Sequence, residues 1–161
     1  MTIIEGAPSA ILRREEELPF VDMGDGSLLQ VLQVDLAQGI WVIRNRFVPG
    51  TTVQTHRHTG SVYAFTVSGA WHYLEGPDDV NMAGSYLFEP ANSVHTLHVL
   101  DDNEGMTDVW FTIHGANLNL DAEGRVEYVI DAATVLAFYR AACAEQHGLP
   151  DPPVVVVDAQ A

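Results

Sequence analysis

The sequence predicts an all-β fold, a barrel or sandwich of short strands, with one helix near its end. Short runs rich in β-branched and aromatic residues follow one another from Ser27 onward. Gly, Pro, Asn and Asp separate these runs at close spacing, as expected of turns. The chain has 161 residues, of which 47% are hydrophobic, and this is enough for one domain with an apolar core. Many short strands and few helical stretches favour a closed or sandwiched β architecture.

The strands are predicted directly from these runs. The predicted strands are 28–36, 40–48, 62–68, 70–75, 85–90, 94–100, 107–115 and 125–130. Gly69 is predicted to turn the chain between two of them, and the Gly-Pro-Asp-Asp run at 76–79 is predicted to form the next turn. One more turn is expected at 121–124.

The chain divides into four predicted segments around this β region. They are an N-terminal arm (1–25), the barrel (26–130), a C-terminal helix (131–148) and a tail (149–161). A short helix is expected in the arm near Ile11–Glu17. Asp131 is a suitable N-cap for the last helix, and Gly148 followed by Pro150 would end it. The valine-rich tail is expected either to pair with a neighbouring subunit as an extended arm or to be loose.

Composition excludes several classes of function. Seven Lys and Arg face 22 Asp and Glu, and the resulting charge of -15 would repel nucleic acid, so no nucleic-acid partner is expected. No apolar stretch approaches the roughly 18 residues of a membrane helix, and no signal peptide is visible, so no membrane partner is expected. The single cysteine, Cys143, cannot form an internal disulfide and fits a reducing compartment. A cytoplasmic location is therefore predicted.

A His-x-His pair is the first sign of chemistry. His56 and His58 stand two residues apart in a run of β-branched and aromatic residues. In a strand, both would point to one side and Arg57 to the other. Two imidazoles directed into a barrel are costly unless they meet a partner. Neutral imidazole is a common metal ligand, so the pair indicates a metal site that needs a third ligand from elsewhere. His95, which follows a Pro-x-Asn turn, is the candidate.

Two motifs in this region resemble those of the cupin family. That family carries G-x5-H-x-H-x3-4-E-x6-G and then G-x5-P-x-G-x2-H-x3-N. The matching residues here are Gly50, His56, His58 and Gly69 in the first motif, and Gly84, Pro90 and His95 in the second. The resemblance implies a single-domain cupin, a double-stranded β-helix or jelly-roll barrel, with His56, His58 and His95 as metal ligands. It also implies a homodimer or homotetramer.

The departures from the motifs bear on the chemistry. Val62 stands in the glutamate position of the first motif, while Asn92 and Val99 stand in the glycine and final asparagine positions of the second. Asparagine tolerates the left-handed conformation that the glycine position implies. Loss of the glutamate leaves three neutral histidines and no carboxylate among the motif ligands. A divalent ion then keeps its full charge, which favours a substrate that chelates as an anion.

Cupins with three histidines and no glutamate include several dioxygenase families. Among them are cysteine dioxygenase, the acetylacetone-cleaving dioxygenase and 2,4'-dihydroxyacetophenone dioxygenase, and the runs 41–75 and 83–97 look most like the last. The resemblance implies an Fe(II) enzyme, although Zn(II) or another divalent metal suits the same ligands. Its partners would be O2 and a small ketone, which is cleaved to two carboxylic acids, here 4-hydroxybenzoate and formate.

Two further residues receive catalytic roles from the resemblance. Glu89, six residues before His95, would support the metal site from just beyond the ligands or take a proton from the substrate. Tyr73 would line the pocket and donate to a substrate oxygen or to oxygen. The simpler alternatives are a solvated carboxylate at a strand end and a core aromatic residue. Strand alternation then turns His72 away from the metal, and His98 is predicted to be structural or on the surface.

Other functions remain open at this point. A β-diketone-cleaving enzyme or a thiol dioxygenase would need the same three histidines. A zinc-binding cupin with a sensing or regulatory role is a candidate of a different class, since three histidines bind Zn(II) well. A sugar-binding module without metal is the last, although retention of all three histidines speaks against it.

Overall fold

The computed structural model of the chain describes residues 8–157. In that part of the chain the strands are β1 (Val21–Asp22), β2 (Leu28–Asp35), β3 (Ile40–Phe47), β4 (His56–His58), β5 (Val62–Ser68), β6 (Ala70–Tyr73), β7 (Gly76–Met82), β8 (Tyr86–Glu89), β9 (Val94–His95), β10 (Leu97–Val99), β11 (Thr107–His114), β12 (Asn117–Leu120), β13 (Val126–Ile130) and β14 (Val155–Val157). The helices there are a 3₁₀ turn (Glu15–Glu17) and α1 (Ala132–His147). The predicted all-β fold with a C-terminal helix is confirmed.

Three sheets enclose one core. The largest runs in the order β1-β2-β3-β11-β5-β8, with β14 also paired to β2. A three-stranded sheet runs β10-β6-β7, and a four-stranded sheet runs β13-β12-β4-β9. Neighbouring strands are antiparallel except for β14 on β2. The four-stranded sheet brings the two histidine motifs together, because β4 carries the first and β9 carries the second.

The core follows from the alternation along the strands. In β3, Trp41, Ile43, Asn45 and Phe47 are buried, and the residues that alternate with them are partly exposed. In β5, Val62 and Ala64 face inward in the same way. Every second side chain therefore points inward, and these inward side chains are mainly apolar, with a smaller set of buried polar groups.

The turn predicted at 76–79 is wrong. The chain instead turns at Leu74 and Glu75, and residues 76–79 begin β7, where Gly76 pairs with Tyr73. Composition suggested a turn because Gly, Pro and Asp are turn formers. The strand tolerates Pro77 because β7 is at the edge of its sheet, where one side of the backbone needs no ladder partner.

The N-terminal arm is less helical than predicted. Only the 3₁₀ turn at Glu15–Glu17 forms within the expected helix, and the arm then enters the core through Leu18 and Val21, both fully buried. Glu15 forms ion pairs with Arg44 and Arg46 on the outer side of β3. The arm is therefore tied to the barrel by burial and charge pairing instead of by helix formation.

The C-terminal helix begins and ends where predicted. The Asp131 carboxylate accepts a hydrogen bond from the Thr134 amide at 2.9 Å, and Gly148 ends the helix with a left-handed φ of 65°. Val135, Leu136 and Tyr139 are buried against the barrel. Among the described helices, none has the length and apolarity needed to cross a membrane.

The described part of the tail is not loose. Val155–Val157 pairs in parallel with β2 of the same chain, and Val154 is buried. Pairing within the chain satisfies the backbone of the valine run and covers an edge of the large sheet. The last four residues, 158–161, lie outside the described residues, as do residues 1–7.

Candidate metal centre

Strand pairing places the three predicted ligands side by side. On β4, His56 and His58 are buried and Arg57 between them is exposed, as the alternation predicted. β9 runs antiparallel to β4 with His95 directly opposite His56. Asn92 makes the turn before β9 with φ of 68°, so asparagine does adopt the left-handed conformation expected at this glycine position. Opposed residues share a face of the sheet, so all three imidazoles point inward.

The three rings form a compact triangle. Their centroids are 4.8 to 4.9 Å apart, and each histidine offers a ring nitrogen within 4.8 Å of the others. The Nδ1 atom of His56 lies 2.8 Å from the carbonyl oxygen of Gln54. That bond requires the proton on Nδ1 and leaves Nε2 with a free lone pair, which is the usual state of a metal-binding histidine.

A carboxylate completes the cluster. Glu89 Oε2 lies 3.0 Å from His58 Nε2 and 3.4 Å from His95 Nε2, and all three side chains are buried. Yet this oxygen and His95 Nε2 have no well-aligned hydrogen bond. Buried polar atoms without partners are costly. A cation bound to the histidines would satisfy the His95 nitrogen, and its charge would stabilise the adjacent carboxylate. The residues present therefore fit a divalent metal ion.

The position of Glu89 modifies the expectation of a site without a carboxylate. Val62, which holds the glutamate position of the first motif, is buried in β5 and lies directly opposite Glu89 of β8. A residue on the next strand thus brings a carboxylate to the same end of the barrel. The first motif alone does not show this, because the pairing partner belongs to the second motif; the expectation that Glu89 supports the metal site came from the resemblance.

Tyr73 forms a hydrogen bond with the other carboxylate oxygen of Glu89. Its hydroxyl donates to Glu89 Oε1, and its ring stacks on His95 with centroids 4.0 Å apart and planes inclined by 11°. Tyr73 therefore touches both a candidate ligand and the candidate base. Trp71 packs edge-on against Tyr73, and His72 turns the other way, as the strand alternation predicted.

The electrostatics suit a cation. Burial lowers the pKa of His56 and lowers that of His95 to about 4, so both rings are neutral at pH 7. Burial alone would raise the pKa of Glu89, but the adjacent His58 and His95 hold it below its usual value. Burial and the Glu89 carboxylate raise the pKa of Tyr73. Neutral imidazoles, an ionised carboxylate and a protonated phenol thus coexist.

A small apolar cavity leads from this cluster into the barrel. Its volume is about 190 Å³. Its lining residues are Met23, Leu29, Trp41, Ile43, Asn45, Phe47, Val53, His56, His58, Tyr73, Glu89, Leu97, Phe111, Ile113, Asn117, Ile130 and Val135. No lysine or arginine is among them. The charged and polar groups lie mostly at the histidine end, and hydrocarbon covers the rest.

Hydrogen bonds behind the ligands fix their spacing. Thr55, which precedes His56, and Thr96, which follows His95, join their hydroxyl oxygens at 2.7 Å. The carboxylate of Glu75 accepts hydrogen bonds from the Thr96 amide at 3.0 Å and from its hydroxyl at 2.9 Å. These three residues tie β4 to β9 from outside the cluster. Sequence reasoning missed them, since isolated threonines give no periodic signal.

The remaining sequence candidates lie elsewhere. His114 is on the outer side of β11 against Tyr63, and His147 lies 2.8 Å from the Phe20 carbonyl, which ties α1 to the arm. Arg44 and Arg46 bind Asp108 and Glu15 on the outer face. Cys143 is buried in α1. None of these side chains lines the cavity, so we assign them structural roles.

Asn117 is a cavity residue that the sequence did not single out. It lies on β12, a strand that was not predicted, and it pairs with His58 across the sheet. The only sequence signal is the alternation in Asn117–Leu120, where apolar and polar residues take turns.

Comparison with known proteins identifies a family and a fold. The family model described as a ChrR cupin-like domain matches residues 8–116. A protein of unknown function with a cupin-like fold from Ralstonia eutropha JMP134 is 32% identical, with a TM-score of 0.84 over 97% of this chain and 96% of that chain.

Two more distant structures show the fold alone. The acetylacetone dioxygenase from Acinetobacter johnsonii is 18% identical, with a TM-score of 0.72 over 88% of this chain and 97% of that chain. The anti-sigma ChrR in complex with SigE from Rhodobacter sphaeroides is 18% identical, with a TM-score of 0.51 over 63% of this chain and 52% of that chain. No curated protein matches the sequence.

Proposed function

The chain belongs to the ChrR cupin-like domain family, and we propose that it is an Fe(II)-dependent dioxygenase that cleaves a carbon–carbon bond of a small chelating ketone. The proposed substrate is an α-hydroxyketone such as 2,4'-dihydroxyacetophenone. Cleavage between the ketone carbon and the hydroxymethyl carbon, with both atoms of O2 incorporated, gives 4-hydroxybenzoate and formate. The atoms balance without a further reductant.

One observation carries the proposal. Three buried histidine rings and the partnerless Oε2 atom of Glu89 converge, and two of the three rings, those of His56 and His58, line an apolar cavity together with Glu89. Fe(II) bound there would supply a point of chelation for two substrate oxygens and the electrons that activate O2. His56, His58 and His95 would hold it.

Glu89 would accept a proton from the substrate, and Tyr73 would orient Glu89. An α-hydroxyketone that loses a proton from its hydroxymethyl carbon becomes an enediol anion, which keeps one hydroxyl and can chelate a metal. Glu89 Oε2, beside His58 and His95, would accept that proton. The carboxylate is ionised at pH 7 and so is ready to act as a base. The Tyr73 hydroxyl donates to Oε1 and fixes the direction of Oε2.

The cavity supports a compact, largely apolar substrate. Its volume of about 190 Å³ is below the roughly 300 Å³ at which pockets for drug-sized ligands begin. Apolar walls exclude water from the reacting end. The lining has no cationic side chain to neutralise a substrate carboxylate, which argues against an amino-acid thiol such as cysteine.

A β-diketone is the second candidate substrate. The shared fold with the acetylacetone dioxygenase from Acinetobacter johnsonii favours it. An enolised diketone chelates through two oxygens and would need the same three histidines. Its cleavage would give one carboxylic acid and one α-ketoaldehyde instead of two acids, so the products separate the two reactions.

A zinc-binding regulatory role is the alternative of a different class. The match to the ChrR cupin-like family favours it. Three neutral imidazoles suit Zn(II), and zinc binds more tightly than iron to a given set of ligands. Such a protein would keep zinc and would consume no oxygen with either ketone.

Oxygen consumption with product analysis tests the proposal. Metal-depleted protein is loaded with Fe(II) in the absence of oxygen, given 2,4'-dihydroxyacetophenone, and then exposed to air. The proposal predicts one formate released per O2 consumed. Acetylacetone in a parallel reaction tests the diketone candidate. Bound iron without oxygen uptake on either ketone would contradict the dioxygenase proposal, and retention of zinc alone would support the regulatory role.

A further inference from the structure

Asn117 presents a buried acceptor to the cavity. It lies directly opposite His58 in the β12–β4 pair, and directly opposed residues share a face of the sheet. The side chain therefore stands beside a candidate metal ligand, and it lines the cavity.

The amide oxygen of Asn117 has no hydrogen-bond partner. Its Oδ1 atom is fully buried and accepts nothing from the protein. A buried acceptor without a donor is destabilising, so such an atom in a cavity lined mainly by hydrocarbon needs a reason. A donor carried by a bound molecule would satisfy it.

We propose that Asn117 is a specificity-determining residue, and that its Oδ1 accepts a hydrogen bond from the hydroxyl group of an α-hydroxyketone. This inference rests on the proposed function. The side chain stands beside His58, so the hydroxyl it meets is the one at the chelating end of the substrate. A β-diketone that chelates as its enolate has no hydroxyl there and would leave Oδ1 unpaired. A site that hydrogen-bonds a substrate hydroxyl rejects the analogue without it. Asn117 would thus select α-hydroxyketones over β-diketones.

A binding measurement with Zn(II)-loaded protein tests the role of Asn117 without turnover. The two ligands are 2-hydroxyacetophenone and its methyl ether, 2-methoxyacetophenone, which lacks the donor. Calorimetry gives the ratio of their dissociation constants. The wild type should prefer the hydroxyl compound by about tenfold, the effect of one hydrogen bond to a buried group. In Asn117→Leu, which has similar volume and no acceptor, the ratio should fall to within about twofold of unity.

Two further variants make this test decisive. Asn119→Leu is the matched control, because Asn119 is buried on the same strand and face, opposite His56, but does not line the cavity; its ratio should stay at the wild-type value. Asn117→Ala removes the acceptor without adding bulk and replaces Asn117→Leu if that variant does not fold. A preference that survives at position 117 would overturn the inference and leave the proposed function intact. Wild-type protein that binds neither ligand would overturn both.

A different observation concerns the outer face of the large sheet. Five aromatic side chains there are exposed and contiguous, because Phe65 of β5 lies opposite both Tyr86 of β8 and Trp110 of β11, and Tyr63 lies opposite Phe88. Tyr86 is 66% exposed and Phe88 is 52% exposed. We call these five residues the aromatic face. Single exposed aromatics are common, but a continuous group of five marks an interaction site.

The geometry points to a second copy of this chain as the partner of the aromatic face. An aromatic side chain can bury roughly 200 Å², and about half of that area is exposed at each of the five residues, so the aromatic face offers about 500 Å². Each partner in a standard interface contributes roughly 800 Å², so the aromatic face would form the core of such an interface. The chain carries a charge of -15, so two copies can approach only through a surface without acidic groups. The outward positions of β5 and β8 carry no carboxylate. β8 also ends the sheet path, which leaves an open edge at the same place.

Sedimentation of the wild type and of a double variant tests the dimer. Wild-type protein at micromolar concentration should sediment as a dimer. Phe65→Glu combined with Phe88→Glu places charges on the aromatic face and should give a monomer that still binds Zn(II). Phe138→Glu, which changes an exposed aromatic on α1, is the control and should remain dimeric. A monomeric wild type, or a double variant that remains dimeric, would overturn this second inference.

Discussion

Two groups of histidines lie within the same barrel, and their surroundings differ. His72 and His98 oppose each other on β6 and β10, with ring centroids 5.5 Å apart, close to the 4.8 to 4.9 Å within the triad. His98 Nδ1 lies 2.8 Å from the Thr52 hydroxyl, its Nε2 lies 3.3 Å from an Asp101 carboxylate oxygen, and His72 Nδ1 lies 3.0 Å from the Tyr73 carbonyl. This pair is satisfied by the protein.

The triad of His56, His58 and His95 is not satisfied in this way. Ring nitrogens of His58 and His95 lack partners, and so does the Glu89 oxygen between them. Proximity of histidines is thus a poor indicator of a metal site by itself. Convergence of buried lone pairs that the protein leaves unpaired is the better one, and it separates the two groups.

Removal of one triad ligand should have the largest effect. His95→Ala leaves two ligands and should weaken metal binding by more than about 100-fold, beyond the effect of losing an outer partner. Metal-dependent oxygen uptake should disappear with it. His98→Ala, the matched change in the other pair, should keep both. Metal content after dialysis, and thermal stabilisation by added metal, measure metal binding in both variants. Equal metal loss from both variants would contradict the distinction between the two groups of histidines.

Neutralising the central carboxylate should have the next largest effect. Glu89→Gln keeps the shape but cannot accept a proton, so kcat should fall by about 10²- to 10⁴-fold, the usual contribution of a general base. The three histidines remain, so metal content should be retained. Steady-state kinetics with metal analysis on the same sample separates the two quantities. Full activity in Glu89→Gln would exclude it as the base.

Removing the tyrosine hydroxyl should have a smaller effect. Tyr73→Phe keeps the ring stacked on His95 but removes the donor to Glu89 Oε1. The base then loses its orientation, and kcat should fall by about tenfold, the lower limit for an outer partner. Substrate affinity should change little, so kcat/KM should fall because kcat falls while KM stays nearly constant. A change confined to KM would instead assign Tyr73 to substrate binding.

The smallest expected effect is at the contact behind the ligands. Thr96→Val removes the hydroxyl that joins Thr55 to Glu75 while it keeps the shape of the side chain. Metal affinity should fall by no more than about tenfold, since the ligands themselves remain. Thr52→Val, which removes the partner of His98, is the matched control and should leave metal affinity unchanged. Equal effects of the two changes would remove the distinction between the groups.

Part of this arrangement could be predicted from the sequence. His56, His58 and His95 are fixed by motif spacing and by strand alternation, both of which are local patterns. The helix from Asp131 to Gly148 is equally local, because its cap and its stop are adjacent to it.

Features that depend on pairing could not be predicted. Gly76 begins a strand because it pairs with Tyr73, whereas its neighbours have the composition of a turn. The approach of Glu89 to the histidines, which the resemblance implied, depends on its register with Val62 and is not visible in the local sequence pattern. Asn117 reaches the cavity because β12 pairs with β4. Each of these positions is decided by a partner distant in sequence.

Titration with Co(II), followed by visible absorbance, tests the central claim most directly. Cobalt reports ligand number and geometry through its absorption bands, and it substitutes for iron and zinc at histidine sites. The account predicts one Co(II) per chain in the wild type and in a His72→Ala His98→Ala variant, with the bands lost in His58→Ala His95→Ala. Loss of binding in the first variant with retention in the second, or no binding by the wild type, would contradict it.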